Sequence, residues 1–433
     1  MAILAAPLPP PHRYPFSKTP PLDMDLDALP PPILVSDAQA LARLLRVLEA
    51  TQVVAIDTEA DSFFNFREKV CLVQITADAQ DFLVDPLARI DLAPLGAMLA
   101  DPTKQKVFHD GEYDILILKR DFGFEFKNLF DTRIAEAALG VESPGLAAVL
   151  RARFGIELDK SMQRSDWSAR PLSTKQIRYA RLDTHFLIQL MQVQRRELAE
   201  RGRGMIVEGE CARLERLVPA SGEFNPDDFV RLKGARALDR SGQRRLRELF
   251  AARQALAQAA DLPPFKVLGN DALVEAARRA PRDFDELAHV PGVSPKHVRK
   301  IGRELLSALE RAAELGPLEH PPQPSRKDGS VQLDELEFEL HERLKNWRRE
   351  RAVRLGLDSS LVLNRHVLVR LAQRKPIEEG DLAHVDGLLD WQINMFGPEI
   401  LDVVRTGLRE LPVVIAQSAG RRRHRARREG GRG

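Results

Sequence analysis

The stretch Val53-Val54-Ala55-Ile56-Asp57-Thr58-Glu59 decides how the first half of this chain folds. Four apolar residues in a row, two valines and an isoleucine among them, predict a buried strand that ends on two carboxylates spaced i and i+2. On a strand that spacing puts Asp57 and Glu59 on one face. Two such charges about 4 Å apart repel by roughly 4 kcal/mol at an effective dielectric of about 20, so a positive group belongs between them. A divalent cation is the natural candidate. The plainer alternative is that Asp57 ends the strand and caps the next segment while Glu59 is solvated.

Two further acidic elements lie downstream. Phe108-His109-Asp110-Gly111-Glu112-Tyr113-Asp114-Ile115-Leu116 reads as a strand running through a glycine turn into a helix. Asp114 then sits in the first helical turn and can point back over the end of the Val53 strand. Asp110 and Glu112 compete for that role, although acids at a helix start are also favoured by the helix dipole. In Ser173-Thr174-Lys175-Gln176 a capping-box pattern starts another helix, which places Tyr179 and Asp183 on one face at i and i+4. An ordinary hydrogen-bonded Tyr–Asp pair would look the same.

The surroundings of these elements set the class. A length of 433 residues predicts two to four domains, and 44% hydrophobic with 30% charged residues fits a globular protein. No run approaches 18 apolar residues, so a membrane-spanning helix is not expected. The net charge is +2, yet Arg421 to Arg432 contributes seven arginines against Glu429, so the pI of 8.5 belongs to a basic tail and the rest is net acidic. Cys71 and Cys211 have no ligand spacing and point to a reducing, cytoplasmic compartment. Residues 1–32 hold ten of the 29 prolines without a signal-peptide pattern, and read as a flexible leader. From Ile33 the pattern is a helix (Ala38 to Leu48), three closely spaced strands (from Val53, Val70 and Asp81) that should be antiparallel neighbours, a short strand at Lys106–Phe108, and then helices: a mixed α/β domain.

Between the first two strands, Phe63, Phe64 and Arg67 interleave aromatic and basic character and are candidates to stack on nucleic-acid bases and hold a phosphate; the alternative is a loop folded onto the core. After Cys211 the chain reads as helices only, with Leu246, Leu249, Phe250, Leu256 and Ala257 on one face of Arg240 to Ala259. A second helical unit repeats the first: Trp347, Leu363, Asn364, Leu368, Ala372, Pro376, Leu382 and Val385-Asp386-Gly387 echo Phe250, Leu268, Asn270, Leu273, Ala277, Pro281, Leu287 and Val290-Pro291-Gly292, with one-residue shifts in spacing. In the first unit, Lys296, Arg299 and Lys300 follow a tight turn at a helix start and are candidates for one phosphate backbone. The matching segment of the second has Asp386 and Asp390 and no cation, while Leu388, Leu389 and Trp391 suit packing against a neighbour.

Asp57-Thr58-Glu59, His109 with Asp114 five residues on, and Tyr179 with Asp183 together resemble the three motifs of the DEDD superfamily of 3′–5′ exonucleases, tyrosine class. With Ser165-Asp166-Trp167 and Arg170-Pro171-Leu172, the chain from Ile33 to Leu411 is similar to bacterial ribonuclease D, whose helical modules are HRDC domains. The resemblance implies an α/β ribonuclease-H-like exonuclease domain (33–212), two all-α HRDC-like domains (213–315 and a divergent 330–412) joined by a linker (316–329), and a basic tail (413–433). It further implies two Mg²⁺ or Mn²⁺ ions and release of 5′-mononucleotides, with tRNA precursors bearing free 3′ ends as substrate for a monomeric cytoplasmic enzyme. Two cations about 4 Å apart meet the needs of in-line phosphodiester hydrolysis, and carboxylate oxygens suit such hard ions. Asp57, Glu59, Asp114 and Asp183 are then the metal ligands, and Tyr179 orients the attacking water. The rivals are a DNA 3′–5′ exonuclease and a nucleic-acid-binding protein with an inactive nuclease fold.

Overall fold

The computed structural model describes residues 26, 28–142, 145–219, 223–320, 322 and 333–429, with side chains to 410. Most of the Pro-rich leader, much of the linker and the side chains of the basic tail lie outside these described residues.

Six strands, β1 (Ile33–Val35), β2 (Val53–Ala60), β3 (Val70–Ala77), β4 (Gln80–Val84), β5 (Gln105–Phe108) and β6 (Leu129–Asp131), form one sheet in the order β1-β4-β3-β2-β5-β6. β2, β3 and β4 are antiparallel neighbours, as their short connections require. β5 runs parallel to β2 and β6 parallel to β5, while β1 pairs parallel with β4. β1 and β6 are absent from the sequence reading because three residues carry no measurable alternation.

Eight helices accompany the sheet: α1 (Ala38–Ala50), α2 (Ala93–Ala100), α3 (Glu112–Phe122), α4 (Thr132–Ala138), α5 (Leu146–Phe154), α6 (Thr174–His185), α7 (Leu187–Glu200) and α8 (Gly204–Glu215). α1 is typical of their logic: Leu41, Leu44 and Leu48 recur on one face and are buried, and the Asp37 side chain accepts from the Ala40 amide at 2.8 Å to close the first turn. α6 begins at the Ser173–Gln176 capping box and lies across β2, β3 and β4. Asp81 on β4 fixes it there, accepting from Arg181 Nε at 2.7 Å and meeting His185 Nδ1 at 2.8 Å. Thr76 on β3 bonds both Asp81 and Thr184 at 2.8 Å. Burial alone would raise the Asp81 carboxyl pKa, but these hydrogen bonds hold it below the usual range.

The helical half contains α9 (Arg240–Ala259), α10 (Pro264–Val267), α11 (Asn270–Arg279), α12 (Phe284–Ala288) and α13 (Pro295–Leu315), then α14 (Glu335–Leu355), α15 (Ser359–Val362), α16 (Arg365–Arg374), α17 (Glu379–Leu382) and α18 (Asp390–Glu429). The two sets are one design at a constant offset of 95 residues, from Pro264 to Ser359, Asn270 to Arg365 and Pro295 to Asp390. Left-handed residues fall at the same places, Ala280 and Lys375 (φ 50° and 51°) and Gly292 and Gly387 (φ 84° and 81°). Arg253 donates to the Leu268 carbonyl at 3.0 Å, and Arg348 to that of Leu363 at 2.9 Å. The register corrects two pairings made by chemical likeness. Asn364, the N-cap of α16, corresponds to Gly269, the N-cap of α11, and not to Asn270. Trp347 corresponds to Ala252 and not to Phe250.

The modules bury their apolar faces differently. Leu246, Leu249, Leu268, Leu273, Leu287 and Leu305 form a core of the first module's own. Leu340, Leu344, Leu363, Leu368, Trp391 and Phe396 of the second belong to one continuous core with Ile56, Val207 and Leu214 of the sheet domain. Trp391 lies against Gly209 of α8 so closely that a Cβ there would stand 2.0 Å from Trp391 Cδ1. Arg203 staples the same junction, donating to the carbonyls of Ala138 and Leu355.

Candidate active site

β2 delivers Asp57 and Glu59, and a bulge between Glu59 and Ala60 shifts its register against β3, so that Ala60 pairs with Val70. The loop that follows is gathered by buried Asp61, whose carboxylate accepts from Asn65 Nδ2 and from the Lys69 amide. α6 delivers Tyr179 and Asp183 from above the sheet. The result is a cluster in which ligand oxygens of Asp57, Glu59 and Asp183 all lie within 4.8 Å of one another, each residue half-buried. Asp114 stands beside this cluster, not in it. Its Oδ1 accepts from both the amide (3.0 Å) and the hydroxyl of Thr58, the residue between the two β2 acids.

Crowding shapes the electrostatics. Burial, then repulsion from Asp114, Asp183 and Glu59, raises the Asp57 carboxyl far above the usual carboxylate range. Burial followed by Asp183 and Asp114 pushes Glu59 to about 9. Asp183 reaches about 8, again chiefly by burial, although its hydrogen bond from Tyr179 opposes the shift. Asp114 is raised to about 6 by burial, with the Thr58 hydrogen bonds pulling it back. Three hard oxygen donors that repel one another unless a cation neutralises them fit a divalent metal ion. Tyr179 is the opposite case: burial and the nearby acids push its phenol further above its ordinary value, so at neutral pH it is a donor.

Supporting residues hold these groups in place. Asp131, at the end of β6, is buried and accepts from the amides of Asp110, Gly111, Arg133 and Ile134, which sets the turn into α3 and so the aim of Asp114. Gln176 Nε2 donates to Ser165 Oγ and the Asp166 carbonyl, tying that segment to the start of α6. Trp167, fully buried, packs its ring 5.9 Å from that of Tyr179. Arg170 holds the Trp167 loop to the sheet through the Asp85 carboxylate and the Cys71 carbonyl. Thr58, Asp131 and Asp85 had no place in the sequence reading, because their partners lie far away along the chain. Thr58 alone carried a signal, being enclosed by the two acids.

The RNA-binding candidates fall in two places. Phe63 is exposed, and its ring meets Phe265 of the first helical module edge-on at 6.4 Å, while Lys266 Nζ lies 4.3 Å over the ring of Phe64. These aromatic rings reach toward the helical module, with Arg67 exposed beside them. Lys296, Arg299 and Lys300 are exposed at the start of α13, where Ser294 Oγ already takes the His297 amide.

Sheet order, acid cluster and appended helices define a 3′–5′ exonuclease, and residues 32–199 match the family described as 3′-5′ exonuclease, while 242–309 and 337–404 each match the HRDC domain. Ribonuclease D of Zymomonas mobilis is 32% identical over 383 residues, covering 86% of this chain and 93% of that protein. Ribonuclease D of Sphingobium indicum is 31% identical, covering 86% and 94%. The crystal structure of Escherichia coli RNase D, titled an exoribonuclease involved in structured RNA processing, aligns with a TM-score of 0.64 at 25% identity, over 87% of this chain and 99% of that one. The chain belongs to the ribonuclease D family, and it is a 3′–5′ exoribonuclease that acts on RNA.

Proposed function

We propose that Asp57, Glu59, Asp114 and Asp183 hold two Mg²⁺ or Mn²⁺ ions and that Tyr179 aims the attacking water, so that the chain removes 5′-mononucleotides from free RNA 3′ ends. The observation that carries this is the approach of the Asp57, Glu59 and Asp183 oxygens to within 4.8 Å. When bound, the cations supply Lewis-acid activation of water and neutralise charge on the leaving oxygen. The protein's own contribution is positional. β2 and α6 present their carboxylates from two directions, and the Tyr179 hydroxyl, hydrogen-bonded to Asp183, remains a donor beside them. Asp114 supports this arrangement twice: its Oδ1 fixes Thr58, and its second oxygen is available to a cation directly or through water. Precursors of tRNA are the proposed substrates, and a monomer in the cytoplasm the proposed working form.

The test uses end-labelled RNA and DNA of one sequence, with and without Mg²⁺ or Mn²⁺. Asp57→Asn and Asp183→Asn should abolish hydrolysis while RNA binding persists, because a lost carboxylate weakens a cation site without unfolding the sheet. Tyr179→Phe should slow the chemical step by roughly 10²-fold with little change in affinity. Native turnover in both Asn variants would sink the ligand assignment, and an unchanged single-turnover rate in the Phe variant would remove the role given to the hydroxyl.

A further inference from the structure

Gln74 is buried at 0% exposure in the middle of β3. Both its Nε2 and its Oε1 are buried, and neither has a hydrogen-bond partner among the described residues; no other side chain there has two such atoms. A folded chain does not leave a whole carboxamide unsatisfied at random, because each orphaned group forfeits its hydration without replacement.

Its position says what it is for. Gln74 stands directly opposite Asp57 in the β2–β3 pairing. Cross-strand partners in an antiparallel pair share a face of the sheet, and their Cβ atoms lie about 5 Å apart. That face is the one α6 covers. Two residues along β3, Thr76 bonds Thr184 of α6 at 2.8 Å, and two residues back, Leu72 packs with Ala180. Gln74 therefore lies under the helix that carries Asp183, beside the strand that carries Asp57. No sequence motif marked it, because a lone glutamine among apolar residues reads as a tolerated core position.

We propose that Gln74 is a positioning residue for Asp57: its carboxamide N–H donates to the Asp57 carboxylate once that carboxylate is ionised and engaged by a cation. A carboxylate that holds a cation would keep lone pairs free to accept a hydrogen bond, and the amide beside it is a neutral donor that adds no charge to a crowded cluster. Lysine there would compete with the metal, and a carboxylate would repel that of Asp57. The inference rests on the reading of Asp57 as a metal ligand, and the experiment keeps the two apart.

The full-length chain is compared with Gln74→Met, which keeps the volume and removes both polar atoms, and with Asp57→Asn. Three quantities are read: the melting midpoint in chelator, the Mn²⁺ affinity by titration calorimetry, and the carboxamide ¹H–¹⁵N signal that disappears in Gln74→Met. Expected for Gln74→Met are a chelator midpoint equal to or above that of the native chain, Mn²⁺ binding weakened about tenfold or more, and a lower kcat with KM for RNA unchanged. In the native chain the assigned carboxamide signal should shift on adding Mg²⁺ and stay put in Asp57→Asn. Native Mn²⁺ affinity in Gln74→Met, or a lowered chelator midpoint with unchanged affinity, overturns the role and makes Gln74 a packing residue. If Gln74→Met fails to fold, the carboxamide signal is assigned by through-bond connectivity in the native chain instead, and the absence of a Mg²⁺-dependent shift there overturns the proposal. If the native chain and Asp57→Asn bind Mn²⁺ alike, the failure belongs to the Asp57 assignment instead.

Discussion

The two helical modules share a backbone plan at a 95-residue offset, yet the same surface does opposite things in them. Lys296 corresponds to Trp391, Arg299 to Asn394 and Lys300 to Met395. In the first module this helix start is cationic and faces solvent, and the core is its own. In the second it carries no cation, Trp391 is buried at 4% exposure against Gly209, and the core runs on into the sheet domain. The capping geometry underneath is kept: His297 and Gln392 each accept from the backbone amide three residues earlier, of Ser294 and Leu389. Three or four side chains at a helix start thus turn one module from a body with its own core into part of another domain's wall. HRDC-type modules are therefore better compared by that face than by overall similarity.

The largest test of this contrast is Trp391→Ala. Removing a buried indole should cost about 3–5 kcal/mol and lower the melting transition of the sheet domain together with the second module, leaving the first unaffected. Gly209→Val should act in the same direction from the other side of the contact, since even a Cβ does not fit. Calorimetry in which the first module's transition falls by the same amount would show that the two cores are not separate.

A second test uses pH in chelator. Glu59 and Asp183 have folded-state pKa values near 9 and 8, above their ordinary 4.5 and 3.8, so the folded state binds more protons across that interval. The stabilisation is complete below about pH 4 and is lost as pH rises through 8 and 9. The expected loss is about 2 kcal/mol after discounting for water in a half-open cleft, confined to the transition that contains the sheet. Saturating Mg²⁺ should flatten the dependence, because the cation replaces the protons. The first module's transition should show no such slope, and the reverse assignment would break the comparison.

The smallest effect concerns RNA. Lys296, Arg299 and Lys300 changed together to Ala should lower the slope of log affinity against log salt by about 2 on single strands, the value for three lost phosphate contacts. Hydrolysis of a short oligonucleotide should be unchanged, and Asn394→Ala in the second module should leave both quantities as they were. Equal binding of long RNA by the triple variant across several salt concentrations removes this face from the RNA path.

What could be read from the sequence followed the range of the interactions. The acids of β2 and the Tyr179–Asp183 pair stand out because strand and helix periods fix their faces within a few residues. The capping box at Ser173 is equally local, and it set the phase of α6. The roles of Asp81 and Asp131 were invisible because each works through partners 20 to 104 positions away, and Thr58, although enclosed by the two acids, works through Asp114, 56 positions away. The repeat was visible but misregistered at two positions, where matching by residue type chose Asn270 over Gly269 and Phe250 over Ala252. Spacing of capping and left-handed residues is the more faithful guide, because backbone conformation is inherited where side chains are not. The contact of Phe63 and Phe64 with Phe265 and Lys266 joins segments about two hundred residues apart, and no local pattern encodes it.

That contact has a mechanical side. The chain leaves Glu59, is gripped at Phe66 by the Asp261 carboxylate at 3.2 Å and at Phe63 by Phe265, and returns along β3 to Gln74. The hairpin is a cantilever: rooted in the sheet at the carboxylates, with its free tip held by a body that has a core of its own. A load on that body would reach the tip through these two contacts, and the lever arm ends at Glu59.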